Sequence, residues 1–334
     1  MVRIRKRLWL LAILCGLPAA PLSAQVAPAA QFDPIGPLDR AFPDVPPVPA
    51  ELEMPTLTPL PPATIDDIAR EARDGFFQKV IVEGDWLSRQ SPGGMGITTS
   101  ELKMVLALPA PWRDWPLLII PGVAEHIIDA PPAANLPPRL FDAYTEFRWL
   151  PRIGSRLTLD LDLKPGIYRD IDQATDSGLR VTAYGAAIWT WTPTTKLVLG
   201  VMYLDREDWN VLPLGGIIWE PYPELKCELL FPDAKIARRI DWFGNTGPDV
   251  QDWFYVAGNF GDYKWAIQRN DGARDTVAYS DDRVSVGWER KTFGGVSGNA
   301  EVGYVFSRKV SYYDSGQPNF EPPGTLMLRA GLRY

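Results

Sequence analysis

The chain has 334 residues, 34 Lys+Arg against 41 Asp+Glu, and four of the basic ones (Arg3, Arg5, Lys6, Arg7) fall in the first 24 positions, which hold no acid. An acidic chain lacks the basic face that counterion release from phosphates requires, so nucleic acid is excluded as a partner. With 28 Gly, 33 Pro, 11% aromatic and 22% charged residues it is a turn-rich folded protein, neither disordered nor a coiled coil, and with one histidine (His126) and two cysteines (Cys15 and Cys227) it cannot build a Cys/His zinc site.

In chain order, Met1 to Arg7 is a basic n-region, Leu8 to Leu22 is apolar, and Leu22-Ser23-Ala24 precedes Gln25 with the small-residue spacing of a signal-peptidase site. Residues 1–24 are therefore expected to be a signal peptide. A membrane anchor is the alternative, but the run falls short of the ~20 residues a bilayer needs and is broken by Gly16 and Pro18. A lipid anchor at Cys15 is disfavoured, because Leu14 stands where a small residue is required. Cys227 then has no intrachain disulfide partner.

Residues 25–64 carry 11 prolines and read as an extended periplasmic linker that cannot bury a core. Thr64 precedes Ile65, Ile68, Ala69 and Ala72, with Asp66 and Asp67 in the first turn, so a short lead-in helix is expected over 65–75 within a 65–78 segment.

From Lys79 to Tyr334 the pattern changes to period two. In Arg156-Leu157-Thr158-Leu159-Asp160-Leu161-Asp162-Leu163-Lys164 every odd position is Leu, which places the leucines on one face and Asp160, Asp162 and Lys164 on the other. Similar alternation recurs at 101–104, 225–229, 263–268, 284–289 and 326–329. Short turns are expected near Pro109–Asp114, Pro151–Ser155, Thr192–Thr195, Glu220–Glu224, Gly261–Asp262 and Phe293–Gly298. Longer loops are expected at Arg89–Ser100, Asp129–Arg139, Arg169–Gly178, Asp205–Asn210, Asp241–Gln251, Asn270–Asp282 and Tyr312–Gly324. The pattern predicts an all-β fold: a closed up-and-down antiparallel transmembrane barrel over 79–334 with about 14 strands, 12 to 16 being possible. Trp112, Trp115, Trp149, Trp189, Trp191, Trp219, Tyr222, Phe260, Tyr263 and Phe293 flank the six short turns, as an interfacial girdle would. A soluble β-sandwich with a binding or structural role, its leucine faces forming a dry core, is the alternative.

The final strand, Leu326-Met327-Leu328-Arg329-Ala330-Gly331-Leu332-Arg333-Tyr334, alternates and ends on an aromatic residue. It resembles the closing strand of bacterial outer-membrane β-barrels. That resemblance implies a location in the outer membrane, contact with its bilayer, and recognition by the barrel-assembly machinery through the strand ending at Tyr334. Leu212-Pro213-Leu214-Gly215-Gly216-Ile217-Ile218-Trp219 with Phe231-Pro232 is similar to an outer-membrane barrel group filed under a domain of unknown function, which implies no activity.

With the leucine faces toward lipid, the lumen is expected to be lined by Glu83, Asp85, Glu101, Lys103, Glu146, Arg148, Asp160, Asp162, Lys164, Lys226, Glu228, Glu289, Arg329 and Arg333. Interspersed signs pair across a lumen and lower ion selectivity. The function expected is a passive pore or transport protein for small solutes with weak selectivity, or a closed scaffold presenting loops. Catalysis would have to use His126, expected at the rim, and its neighbour Glu125 points to the opposite face, so no catalytic, metal or cofactor site is assigned. Asp170, Asp172 and Asp176 with Gly178 lack the spacing of a calcium loop and read as a solvated polar loop.

Overall fold

In a computed structural model the described residues are 75–112, 115–170, 178–205, 210–240, 249–269 and 272–334. The expected signal peptide (1–24), the expected linker (25–64) and, but for Gly75, the helix expected over 65–75 lie outside them.

Among the described residues fifteen strands appear in chain order: β1 (Phe77–Leu87), β2 (Gly96–Trp112), β3 (Trp115–Asp129), β4 (Arg139–Trp149), β5 (Arg152–Ile153), β6 (Leu157–Asp170), β7 (Leu179–Thr192), β8 (Thr195–Tyr203), β9 (Val211–Tyr222), β10 (Leu225–Phe231), β11 (Ala234–Ile240), β12 (Val250–Gln268), β13 (Arg274–Thr292), β14 (Ser297–Tyr312) and β15 (Thr325–Arg333). A short 3-10 turn, Pro132–Ala134, lies between β3 and β4. Sequence neighbours pair antiparallel, β1 pairs β15, and β4 pairs β6, so the sheet closes on itself. The two-residue β5 only decorates the turn before β6, which leaves 14 strands in the wall. Closure removes the sheet edges that would otherwise invite aggregation.

The period of two sorts the faces as expected. On β6, Thr158 and Asp160 are buried inside while Leu163 is 47% exposed on the outside. Val82, Leu102, Val123, Leu199, Val284, Val286, Val302 and Leu328 likewise point outward and are exposed. An apolar outer wall around a polar interior is the transmembrane type of barrel, and it reverses the burial pattern of a soluble sandwich.

The turns differ from expectation in one stretch. The expected Gly261–Asp262 turn lies inside β12, which runs unbroken over 19 residues. Gly261 marks a close approach: its amide donates to Asp281 Oδ1 at 2.9 Å, and a Cβ there would stand 2.4 Å from that oxygen. The turn the sequence reading missed is Pro232-Asp233, between the seven-residue strands β10 and β11. That hairpin returns the chain, so the connection between Ile240 and Val250 joins strand ends at the short-turn end instead of the long-loop end. One strand too many and one too few cancel, and the total of 14 stands.

The wall is uneven. Ala234 pairs Gly258, and β12 continues ten residues beyond that last β11 partner, to Gln268. Near its end Ala266 pairs Arg169 of β6 in parallel. Strands β7 to β11 have ended at that level, and removing five strands from an antiparallel series leaves parallel neighbours. The barrel thus tapers from 14 strands at the short-turn end to nine (β1–β4, β6, β12–β15) at the long-loop end. About eight strands make an interior just wide enough for side chains to fill. At the narrow end Leu87, Ile97, Ile128, Leu140, Trp265, Ile267, Val277, Val305 and Met327 pack inward as a buried apolar cluster. The β14–β15 loop closes over it: Gln317 Nε2 donates to the carbonyls of Ala133 (3.2 Å) and Ala134 (3.1 Å), and the Tyr312 hydroxyl donates to Ala134.

Candidate functional site: the lumen

Below the apolar cluster the lumen opens into a cavity of about 660 Å³. Of the residues expected there, Glu83, Asp85, Glu101, Lys103, Glu146, Asp162, Lys164, Glu289, Arg329 and Arg333 line it. Arg148 and Asp160 face inward beside it as a bidentate pair at 2.9 and 2.7 Å. Lys226 and Glu228 pair with each other on β10 at 3.0 Å. The sequence reading missed Tyr144, Tyr168, Arg180, Tyr184, Lys235, Tyr255, Arg283 and Glu301, which alternate on the inward faces of β4, β6, β7, β11, β12, β13 and β14. Period two was available for each, but glycine-rich and aromatic strands conceal it.

Two polar networks occupy the walls. On one side, Arg329 grips Asp85 through Nε (2.5 Å) and Nη2 (3.1 Å), and Arg283 reaches the same carboxylate at 3.3 Å while holding Asp281 at 2.7 and 3.1 Å. Glu301 accepts from Tyr255 (2.7 Å), Ser285 (3.1 Å) and Arg329 (3.4 Å), and Glu289 bridges Lys235 (3.1 Å) and Arg333 (2.5 Å). On the other side, Lys103 lies 2.8 Å from Glu101 and 3.1 Å from Glu83, the Tyr144 hydroxyl donates to Glu101, and Tyr184 donates to Asp160 at 3.2 Å. Desolvated charges persist in such a place only when paired and hydrogen-bonded, and these are. Two ammonium groups also sit over aromatic faces: Lys164 at 3.8 Å from the Tyr144 ring and Lys235 at 4.0 Å from the Tyr255 ring.

His126 corrects the expectation of a rim histidine. It is 1% exposed, with Nδ1 2.9 Å from the Thr99 hydroxyl and Nε2 3.0 Å from Asp142 Oδ2. Asp142 also accepts from Trp265 Nε1 at 2.7 Å, and the imidazole meets the Tyr263 and Trp265 rings edge-on at 5.3 and 5.1 Å. With Nε2–H donating to the Asp142 carboxyl oxygen, Nδ1 is left to accept from the Thr99 hydroxyl. The sequence reading tested only Glu125, its neighbour along the strand; the partner comes from across the sheet. With the ring sealed from solvent, the arrangement ties β2, β3, β4 and β12 together beneath the apolar cluster. Asp170 is likewise no loop residue: it ends β6 and is 3% exposed, while Asp172 and Asp176 fall outside the described residues.

Aromatic side chains crowd the short-turn end as expected, with Trp189, Trp191, Trp219 and Tyr222 between 44% and 63% exposed. Phe260 and Tyr263 do not belong to that set, because they lie within β12, where Tyr263 stacks on Trp265 at 5.2 Å.

No family model matches the chain, which leaves the resemblance to the uncharacterised barrel group without support, and no characterised protein matches its sequence. Among solved structures, the NanC porin is similar over 76% of this chain and 98% of its own, at 9% identity and a TM-score of 0.37. The outer-membrane protein Omp33 of Acinetobacter baumannii is similar over 78% of this chain and 100% of its own, at 8% identity and a TM-score of 0.29. OccD3 of Pseudomonas aeruginosa is similar over 79% of this chain and 93% of its own, at 6% identity and a TM-score of 0.31.

Proposed function

We propose that the protein is exported through residues 1–24, is inserted into the outer membrane by recognition of the strand ending at Tyr334, and forms a weakly selective passive pore for small polar solutes. The observation that carries this reading is the charged lumen: a cavity of about 660 Å³ in which cations and carboxylates are interspersed around the wall. Such a lining hydrates a polar solute while presenting no ring of a single sign, so neither ion type is strongly favoured. The long loops then face outside and the short turns face the periplasm. No catalytic role is proposed.

A second reading is a closed scaffold for the loops, and the filled nine-strand end favours it. Single-channel recording of the refolded mature protein in planar bilayers, with a heat-modifiability shift on a gel, separates the two. Stepwise current with near-equal permeability to K⁺ and Cl⁻ supports the pore. A gel shift without current transfers the protein to the scaffold reading. Neither signal, with solubility in plain buffer, overturns both.

A further inference from the structure

On the β6–β7 wall of the lumen, two buried atoms of opposite polarity have no hydrogen-bond partner among the described residues: Arg180 Nε, a donor, and Asp162 Oδ2, an acceptor. Native interiors pair such atoms with protein or water, and an unpaired one calls for a partner from outside the chain, such as a water, an ion or a ligand atom. Arg180 is 7% exposed, and its Nη2 is already engaged by the Leu204 carbonyl at 2.5 Å and by Asp262 at 3.3 Å. The guanidinium carbon lies 5.7 Å from the Tyr168 ring centre, and Arg180 lines the cavity. Asp162 lies within hydrogen-bonding reach of Glu146. Both acids line the same cavity as Arg180.

The register fixes their spacing. On the β6–β7 pair Asp162 stands opposite Tyr184 and Gly166 opposite Arg180, so the acidic and basic positions are four residues apart on one inward face, roughly 13 Å along the strands. Between them Lys164 stands opposite Thr182, its ammonium turned onto the Tyr144 ring. An even spacing keeps both poles on one wall, where one extended solute can reach both.

We propose that this wall is a binding subsite for small zwitterionic solutes, the carboxylate seated on Arg180 and the ammonium on the Asp162–Glu146 pair. The proposal rests on the pore reading and names its substrate class. A solute of one sign only would leave one pole unmet: an anion faces the acid pair, and a cation faces Arg180. The mixed lining that lowers ion selectivity thus becomes selective for dipoles.

The test uses the refolded mature protein in micelles and isothermal titration with three peptides: tetraglycine, its N-acetyl form and its C-terminal amide. An extended tetrapeptide spans roughly 13 to 14 Å, matching the two poles. Tetraglycine is expected to bind at least tenfold more tightly than either blocked form. Arg180→Gln should bring tetraglycine down to the level the amide shows with the wild type, and Asp162→Asn to the level of the N-acetyl form, with heat modifiability reporting the fold of each. Equal affinity for the three peptides, or no saturable heat, overturns the proposal without any variant. A protein that conducts but shows no preference for the zwitterion loses this subsite and keeps the pore; one that binds tetraglycine without conducting keeps the subsite and loses the passive-pore reading.

Discussion

Arg169, near the end of β6, and Ala266, near the end of β12, stand opposite each other as a parallel pair in a sheet whose other wall pairings are antiparallel. This contact converts a 14-strand base into a nine-strand summit, and it explains why the interior changes from charged to apolar along the barrel. A wide ring leaves space that only water and polar side chains fill, whereas a narrow one brings opposite walls within packing distance.

The apolar summit gates axial passage if the pore reading holds. Trp265 is 3% exposed and Ile267 is fully buried within that cluster. Trp265→Ala with Ile267→Ala is expected to open the narrow end and raise single-channel conductance several-fold, while the heat-modifiable fold is retained. Unchanged conductance in a folded variant would show that the route avoids the summit.

Asp85 holds two arginines, so its removal strands both. Asp85→Ala leaves Arg329 without its bidentate acceptor and Arg283 without one of its two acids, at a cost of about 3–5 kcal/mol. Urea unfolding in vesicles should shift to a lower midpoint with little change in slope. A double replacement, Asp85→Leu with Arg329→Met, should recover part of the loss, because the uncompensated charge is removed with its partner.

Asp142 accepts from both His126 and Trp265. Asp142→Leu leaves two buried ring nitrogens without that acceptor, costing about 1–3 kcal/mol for each. Asp142→Asn, which keeps the shape and one acceptor oxygen, should cost less than half as much. The ordering of the two unfolding midpoints checks this; equal midpoints would mean that the imidazole and indole find other partners.

Val286 is 41% exposed on the outward face of β13. Val286→Arg should cost about 2–4 kcal/mol if that face meets lipid at mid-depth, and close to nothing if it meets water. Refolding into vesicles measured by denaturant titration distinguishes the two environments directly.

Much of this barrel is legible in the residues because alternation is strict where leucine faces aspartate, as in β6. The lumen residues named from period two fall on the inward face for that reason. The reading failed where a residue type serves two purposes. Gly-Asp at 261–262 has the composition of a turn, yet Gly261 is small to admit the Asp281 carboxylate beside its backbone. Pro232-Asp233 is the true turn, hidden within what reads as one long strand. His126 was judged by its sequence neighbour, whereas its partners Thr99 and Asp142 are 27 and 16 residues away and meet it only through strand pairing. Taper has no local signature at all, since it depends on comparing the lengths of strands distant in the chain.

The short β10–β11 hairpin also bears on the membrane itself. Seven residues extend roughly 23 Å, and a tilt of ~45° reduces that to about 16 Å of height, against an apolar band of ~25 Å for barrels of this type. In the membrane proposed above, lipids beside this hairpin meet a wall shorter than their own hydrocarbon thickness, while those beside the 19-residue strands β12 and β13 meet one that overreaches it. Seated there, the barrel would impose a lopsided hydrophobic mismatch, thinning the bilayer on one flank, and a neighbouring protein of matching low profile would relieve that deformation.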